Sequence, residues 1–421
     1  MTHAIRVLGL AVSLVMLSTA AAFAQSTTDE AIASAATVSP VAHVYLQTTN
    51  GVNLYDAATN GKLTLVKGSP FKTVGGMLGS TGKYFFTLGA EWIHVYPVDS
   101  NGAIGDQLSE IDTENYAGGD CGTTLGGVLD HTGRYLQIEL EPKYPFNNPC
   151  TDYQTYEIGK ADGSLIYIGD AVVNTHAGAE LGPISITGND NFAYAVDVDF
   201  GIGYGHTPYA ALIRESNGAL ANWSFEETDP EPPPPFEFLQ WILTADPTNH
   251  LAIALGSDEY SGSPDQAYGP FRLVSYSIDS AGNISSTNDW EKMPIPAVGP
   301  TLMRMSPSGK LLAVAGGPVI GELQGPPGNL GKNGLQVFHF NGANPITPYS
   351  KTLTSAPIGY MQWDNSNHIY ALSSDFQLFV YTITPTSISE SPDSPYKIPN
   401  KACNPSDFPY GCPNGLVVVS M

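Results

Sequence analysis

Apolar and polar residues alternate with a period of two over many short runs, the pattern of half-buried strands, and one phrase of this kind recurs seven times. It is an alternating apolar segment, then a short polar turn usually carrying Gly, then a further apolar residue. The copies begin at Val52-Asn53-Leu54-Tyr55, Ile93-His94-Val95-Tyr96, Tyr153-Gln154-Thr155-Tyr156, Ala210-Ala211-Leu212-Ile213, Leu273-Val274-Ser275-Tyr276, Leu335-Gln336-Val337-Phe338 and Leu378-Phe379-Val380-Tyr381. Gly61, Gly102, Gly163, Gly218, Gly282 and Gly342 mark the turns, and the seventh copy lacks one.

A second phrase precedes most copies: a small or apolar strand, a tight turn and a β-rich strand. Examples run from Met77 to Phe86 around Gly82 and from Met303 to Val314 around Ser308-Gly309. In others the turn is Asn189-Asp190 or Ser366-Asn367. Each unit therefore reads as four antiparallel strands, A to D. Such a unit cannot bury both faces alone, so neighbours must stack, and radial stacking removes long exposed edges. The expected fold is an all-β, seven-bladed β-propeller with four-stranded blades. The first unit begins at strand B, with His43-Val44-Tyr45-Leu46-Gln47, and Gly415 to Ser420 supplies a late strand. The ring is expected to close by adding that C-terminal strand to the first blade.

In this scheme the A-B and C-D turns share one face and are tight, whereas the B-C loops divide. Thr49-Asn50-Gly51 is a hairpin signal, but units three to six carry insertions near Leu140 to Asp152, Phe200 to Pro208, Gly256 to Phe271 and Gly316 to Asn333. Binding residues concentrate on loops held by a rigid scaffold. Tyr144, Tyr204, Tyr260 and Tyr268 are the candidate ligand-binding aromatics on that face, with packing of the long loops as their alternative role. The chain has four cysteines. An even number in a secreted chain points to disulfides, Cys121 with Cys150 and Cys403 with Cys412.

The N-terminus fixes the compartment expected: Arg6, an apolar run from Val7 to Leu17, and small residues ending at Ala24 form a secretory signal peptide over 1–24. Residues 25–41 follow as a linker and 42–421 as a single propeller domain, in the periplasm or the medium. No stretch reaches the roughly 18 apolar residues of a membrane helix. A net charge of -23 opposes nucleic acid and anionic membranes as partners. The 44 glycines and 33 prolines with only 14% charged residues fit many short strands and turns. Serine-hydrolase, phosphate-loop and zincin motifs do not occur.

The repeat rhythm, as in Ser306-Pro307-Ser308-Gly309-Lys310-Leu311-Leu312-Ala313-Val314 followed by a strand ending Val337-Phe338, resembles that of lactonase-type propellers. These are the phosphogluconolactonase-like, YVTN-repeat relatives, whose rhythm non-enzymatic propellers of WD40-like type share. The resemblance implies a His-x-His pair before strand A of a middle blade, an Asp ending the next strand B and an Asn-Glu after a later one. Here a single histidine, His176, then Asp197 and the pair Asp258-Glu259 stand at those places. The Arg-Gly-His that the family carries after the next strand B is here Gly316-Gly317-Pro318. Lactone hydrolysis needs a base and an oxyanion donor, and Arg304 is the candidate cation. The catalytic candidates are thus His176, Asp197, Glu259 and Arg304.

The cationic half of the lactonase pattern is missing, so the chain reads as a binding or interaction propeller. Its expected ligand is a small, carbohydrate-like or protein one on the long loops of units three to six, bound by a monomer. The alternative is hydrolysis of an unphosphorylated sugar lactone. No cofactor is required; a Ca²⁺ held by Asp197 and Asp199 is the one metal option.

Overall fold

The computed structural model describes residues 39–421 except 90, 117–120, 143–150, 174–178, 182–183, 200–207, 214–216, 224–226, 229–235, 260–267, 318–330 and 399–414. It is an all-β propeller built of four-stranded antiparallel blades. Its strands fall into sheets that we label I to VII along the chain.

In sheet I, Ala42–Thr48, Gly51–Ala57 and Leu63–Leu65 form a meander, and Leu416–Ser420 pairs antiparallel with the first of them, Val44 opposite Val418. Sheet II comprises Gly76–Ser80, Tyr84–Leu88, Trp92–Pro97 and Ser109–Asp112, and sheet III comprises Cys121–Leu129, Tyr135–Pro142, Thr151–Ile158 and Leu165–Val173. Sheet V has Phe236–Ala245, His250–Glu259, Tyr268–Ile278 and Ile284–Ser285, with Glu227–Thr228 added in parallel. Sheet VI has Leu302–Met305, Leu311–Gly316, Gly334–Asn341 and Asn344–Pro348. Sheet VII has Ile358–Trp363, His368–Ser373, Gln377–Thr384 and Ser387–Glu390, with Tyr396–Lys397 beside the third.

These six meanders are unbroken, but sheet IV departs from the expected seven equal copies. Its first strand is split into Ala179–Leu181 and Ser185–Ile186, both on Phe192–Asp199, which continues to Pro208–Ile213 and Leu220–Trp223. Gly182 and Pro183 stand between the pieces, and proline supplies no ladder donor.

A second correction concerns strand length. Phe236–Ala245 pairs with His250–Glu259 from Phe236↔Glu259 to Ala245↔Leu251, and Ser257 lies opposite Tyr268. Tyr268, read from sequence as a loop aromatic, is a strand residue, as are Phe236 and Phe238. The third sheet's first strand likewise starts at Cys121, not after it.

The A-B turns are tight as expected, because a side chain at each closes them. Asp130 Oδ1 accepts the amides of Arg134 and Tyr135 at 2.7 and 2.8 Å, and Asp364 Oδ1 those of Ser366 and His368 at 2.8 Å each. Asp190 and Asn367 take the positive φ, 57° and 67°, that such turns demand.

Each sheet shares a buried cluster with the next. Phe86, Ile93 and Tyr156 join II to III, Tyr194, Leu251 and Tyr276 join IV to V, and Leu46, Tyr370 and Val380 join VII to I.

A more specific contact repeats beside these clusters: a ring near the start of strand B in one sheet lies over the C-D turn glycine of the following sheet. A Cβ placed on Gly163 would sit 2.6 Å from the Tyr84 ring, one on Gly218 2.2 Å from Tyr135, and one on Gly102 2.8 Å from His43. His250 covers Gly342 in the same way, and His368 lies 3.3 Å from the Cβ position of Gly61. These turn glycines also hold φ between 60° and 79°, so both backbone and space exclude a side chain. The copy that lacks the glycine is spanned differently, by Tyr349 Oη donating to Thr384 O at 2.9 Å.

Two substitutions separate the two reasons for glycine. Gly82 has φ +80° but an open Cβ position, its nearest neighbour at 3.5 Å, whereas Gly218 has φ +78° and the Tyr135 ring. We expect Gly82→Ala to cost about 1–2 kcal/mol from backbone strain alone. Gly218→Ala should cost about 1–3 kcal/mol more because the ring must move. Denaturant melts of the two variants measure the difference; equal losses would refute the ring contact.

Candidate functional site

The first strands of sheets V, VI and VII, then Leu416–Ser420 of sheet I, then the first strands of sheets II and III pack side by side in that order, so their residues line the middle of the molecule. They carry few charges. Apart from Glu180 in the first strand of sheet IV and Glu237 at the far end of that of sheet V, Arg304 is the one charged residue in these inner strands. It lies opposite Ala313.

The Arg304 side chain is exposed to solvent, while the protein atoms packed around it push its pKa below the usual arginine value. Its Nη1 donates to Met303 O at 3.0 Å, and its own carbonyl accepts from Trp363 Nε1 at 3.2 Å. Among the described residues Arg304 forms no ion pair.

The other candidates lie elsewhere along the strands. Asp197 is near the end of Phe192–Asp199, opposite Leu181, and Glu259 ends its strand opposite Phe236. Counted from the A-B turn, Asp197 stands three residues beyond the level of Ala313 and Glu259 seven. At about 3.3 Å per residue these are axial offsets of roughly 10 and 23 Å. Glu259 therefore does not share a reaction centre with Arg304. His176, Tyr144, Tyr204, Tyr260, Cys150, Cys403 and Cys412 lie outside the described residues. No group of three His, Cys, Asp or Glu suited to a metal occurs among the described residues.

Two features were not identified from sequence. Tyr360, on the first strand of sheet VII, is half-buried beside the strand that carries Arg304, and desolvation pushes its hydroxyl up to about 12. In sheet III, Gln137, Glu139, Asp152 and Gln154 are all buried, with Gln154 Nε2 donating to Thr113 O at 3.1 Å. The polar residues within Leu136-Gln137-Ile138-Glu139-Leu140 were a signal, since both faces of that strand are covered.

A cleft of about 620 Å³ opens on the opposite, tight-turn face, between Lys83, Asp130, Arg134, Tyr135, Lys160 and Asp190. Several of its charges are met internally: Arg134 pairs with Glu157 at 2.9 Å, His131 with Asp190 at 2.7 Å, and Lys83 Nζ donates to Lys160 O at 2.6 Å.

No family model matches the chain, and no curated protein matches it. Among solved structures it is similar to a 6-phosphogluconolactonase candidate from Bacteroides fragilis, at 11% identity and TM-score 0.51, covering 83% of this chain and 94% of that one. It also matches the periplasmic gluconolactonase of Pseudomonas aeruginosa, at 12% identity and TM-score 0.46 over 75% and 80% of the two chains. Citrobacter koseri AztD aligns at 12% identity and TM-score 0.43 over 90% and 98%. At such identity the Bacteroides likeness is one of fold.

The desolvated tyrosines make a pH prediction. Tyr360 is raised to about 12, and Tyr45, Tyr156 and Tyr370 rise further through burial and nearby carboxylates. A folded pKa above the unfolded value of 10.0 gives stability that is whole below pH 10 and is lost as pH rises through the folded value. Melting temperature should hold to about pH 10 and then fall, and phenolate absorbance should rise abruptly with unfolding. Smooth ionisation of all tyrosines near pH 10 in the folded protein would contradict this.

Proposed function

We propose that the chain is a lactonase-like propeller, secreted or periplasmic, that acts as a binding module rather than a hydrolase. In this reading the sheets form one ring of seven blades, closed where Leu416–Ser420 joins Ala42–Thr48. The pairing of those strands, and the buried cluster shared by sheets VII and I, support the closure. The ligand is a small, carbohydrate-like or protein one, taken on the face of the B-C insertions of sheets III to VI.

The observation that carries the choice is Arg304 without an acidic partner among the described residues. General acid–base chemistry needs a proton-transferring group about 2.6–3.2 Å from the reacting atoms. The strand-end Glu259 is too far along the axis to share a substrate atom with Arg304. A cation standing alone holds a ligand; it does not activate water. Hydrolysis of an unphosphorylated sugar lactone is the second reading, with His176 and Asp197 as its acid–base candidates.

Assaying the mature protein on a panel of lactones, beside Arg304→Ala and His176→Ala variants, decides between them. No turnover, with retention of a glycan or protein on an array, is the expected result. Turnover lost in both variants would replace binding by hydrolysis.

A further inference from the structure

The seams between neighbouring sheets are not equal, and the one between III and IV is built from smaller residues. Among the described residues its apolar cluster is Tyr153, Ala171, Ile186, Ala193, Ala195 and Leu220, three of them alanines. At the seam between VII and I the cluster includes Leu46, Tyr370, Leu372, Leu378, Val380 and Leu416. Apolar stabilisation follows the area removed from water, so the III–IV seam gains less from burial.

Polar groups widen the difference. Two residues after the start of strand B, Tyr45 Oη donates to Gly102 O across the I–II seam and Tyr194 Oη to Gly282 O across the IV–V seam, each at 2.8 Å. The corresponding residue of sheet III is Gln137, two after the ring-bearing Tyr135 and on the same face of the strand. Thr155, opposite Gln137, accepts from Leu220 N at 3.3 Å, so that face looks onto sheet IV. Gln137 is 1% exposed and Tyr135 7%, and among the described residues neither the Gln137 amide nor the Tyr135 hydroxyl has a hydrogen-bond partner. These groups meet water only when the sheets part, so their burial weighs against the closed seam.

At VII–I the corresponding needs are met across the seam. Val418 N donates to Gln362 Oε1 at 2.8 Å, Leu63 N to Tyr396 Oη at 3.0 Å and Asn365 N to Ser420 Oγ at 2.9 Å.

We propose that the sheets part first between III and IV, and not between VII and I, where sheet I holds both ends of the strand-forming chain. Tyr135 and Gly218 also line the cleft on the tight-turn face, so parting at this seam deepens that cleft into the space between the two sheets. Such local opening draws on the least stable part of a fold.

Hydrogen exchange of the full chain, corrected for intrinsic rates, tests this at amides that bond across each seam. Leu220 should exchange about tenfold or more faster than Val418 and Leu63. Gln137→Tyr restores the residue of sheets I and IV, and Gln137→Leu removes the unmet amide at similar size and serves if Gln137→Tyr does not fold. Each should slow exchange at Leu220 by about tenfold and leave Val418 unchanged. Slower exchange at Leu220 than at Val418 or Leu63 in the wild type overturns the proposal, as does unaltered Leu220 exchange in a folded Gln137→Leu variant.

Discussion

The contact on which the architecture depends is an aromatic ring resting where a side chain would be, on the glycine of the neighbouring sheet's outer turn. A four-stranded antiparallel sheet has two apolar faces, so burial alone drives the sheets together, but burial has no direction. The ring over the turn supplies one. Tyr84 on Gly163 or Tyr135 on Gly218 fits at a single sliding position of one sheet against the next. In two sheets a hydrogen bond ties the same turn as well: Tyr194 Oη donates to Gly282 O at 2.8 Å, and Tyr45 Oη, two residues after His43, to Gly102 O at 2.8 Å. His368 makes the contact between sheets VII and I, with Nδ1 on Asp364 Oδ2 at 2.7 Å and Nε2 on Thr59 O at 3.2 Å. That junction includes both ends of the strand-forming chain.

With the sheets held from their outer turns, the first strands do not need to fill the middle with large side chains. Gly79, Gly126, Ser185 and Thr244 are small, and stability there comes from the clusters between sheets. Arg304, exposed and without an ion-pair partner among the described residues, adds little to that packing.

The parts of this molecule that follow local rules were legible in the sequence. The turn glycines, the Asn189-Asp190 and Ser366-Asn367 turns and the late strand at Leu416 each carry their own chemistry within a few residues. The division of the first strand of sheet IV into Ala179–Leu181 and Ser185–Ile186 was not, because the repeat phrase around Ile184 looks intact. The length of the hairpin ending at Glu259 was missed as well: Gly256-Ser257-Asp258-Glu259 reads as loop, yet pairing with Phe236–Ala245 carries it as strand. Arg304 could be picked out as a rare cation on an inner strand. That it stands alone could not, because its neighbours are drawn from six other sheets and only the register brings them to one level.

The axial arrangement also constrains how any ligand is held. Arg304 lies near the tight-turn end, about three residues, or roughly 10 Å, from the B-C end of its own sheet at Gly316. A ligand anchored at the guanidinium reaches the decorated loops only if it extends over that distance. A single monosaccharide ring is too short to touch both, so a ligand that used the guanidinium and the B-C end of the sheet together would have to be longer than one ring.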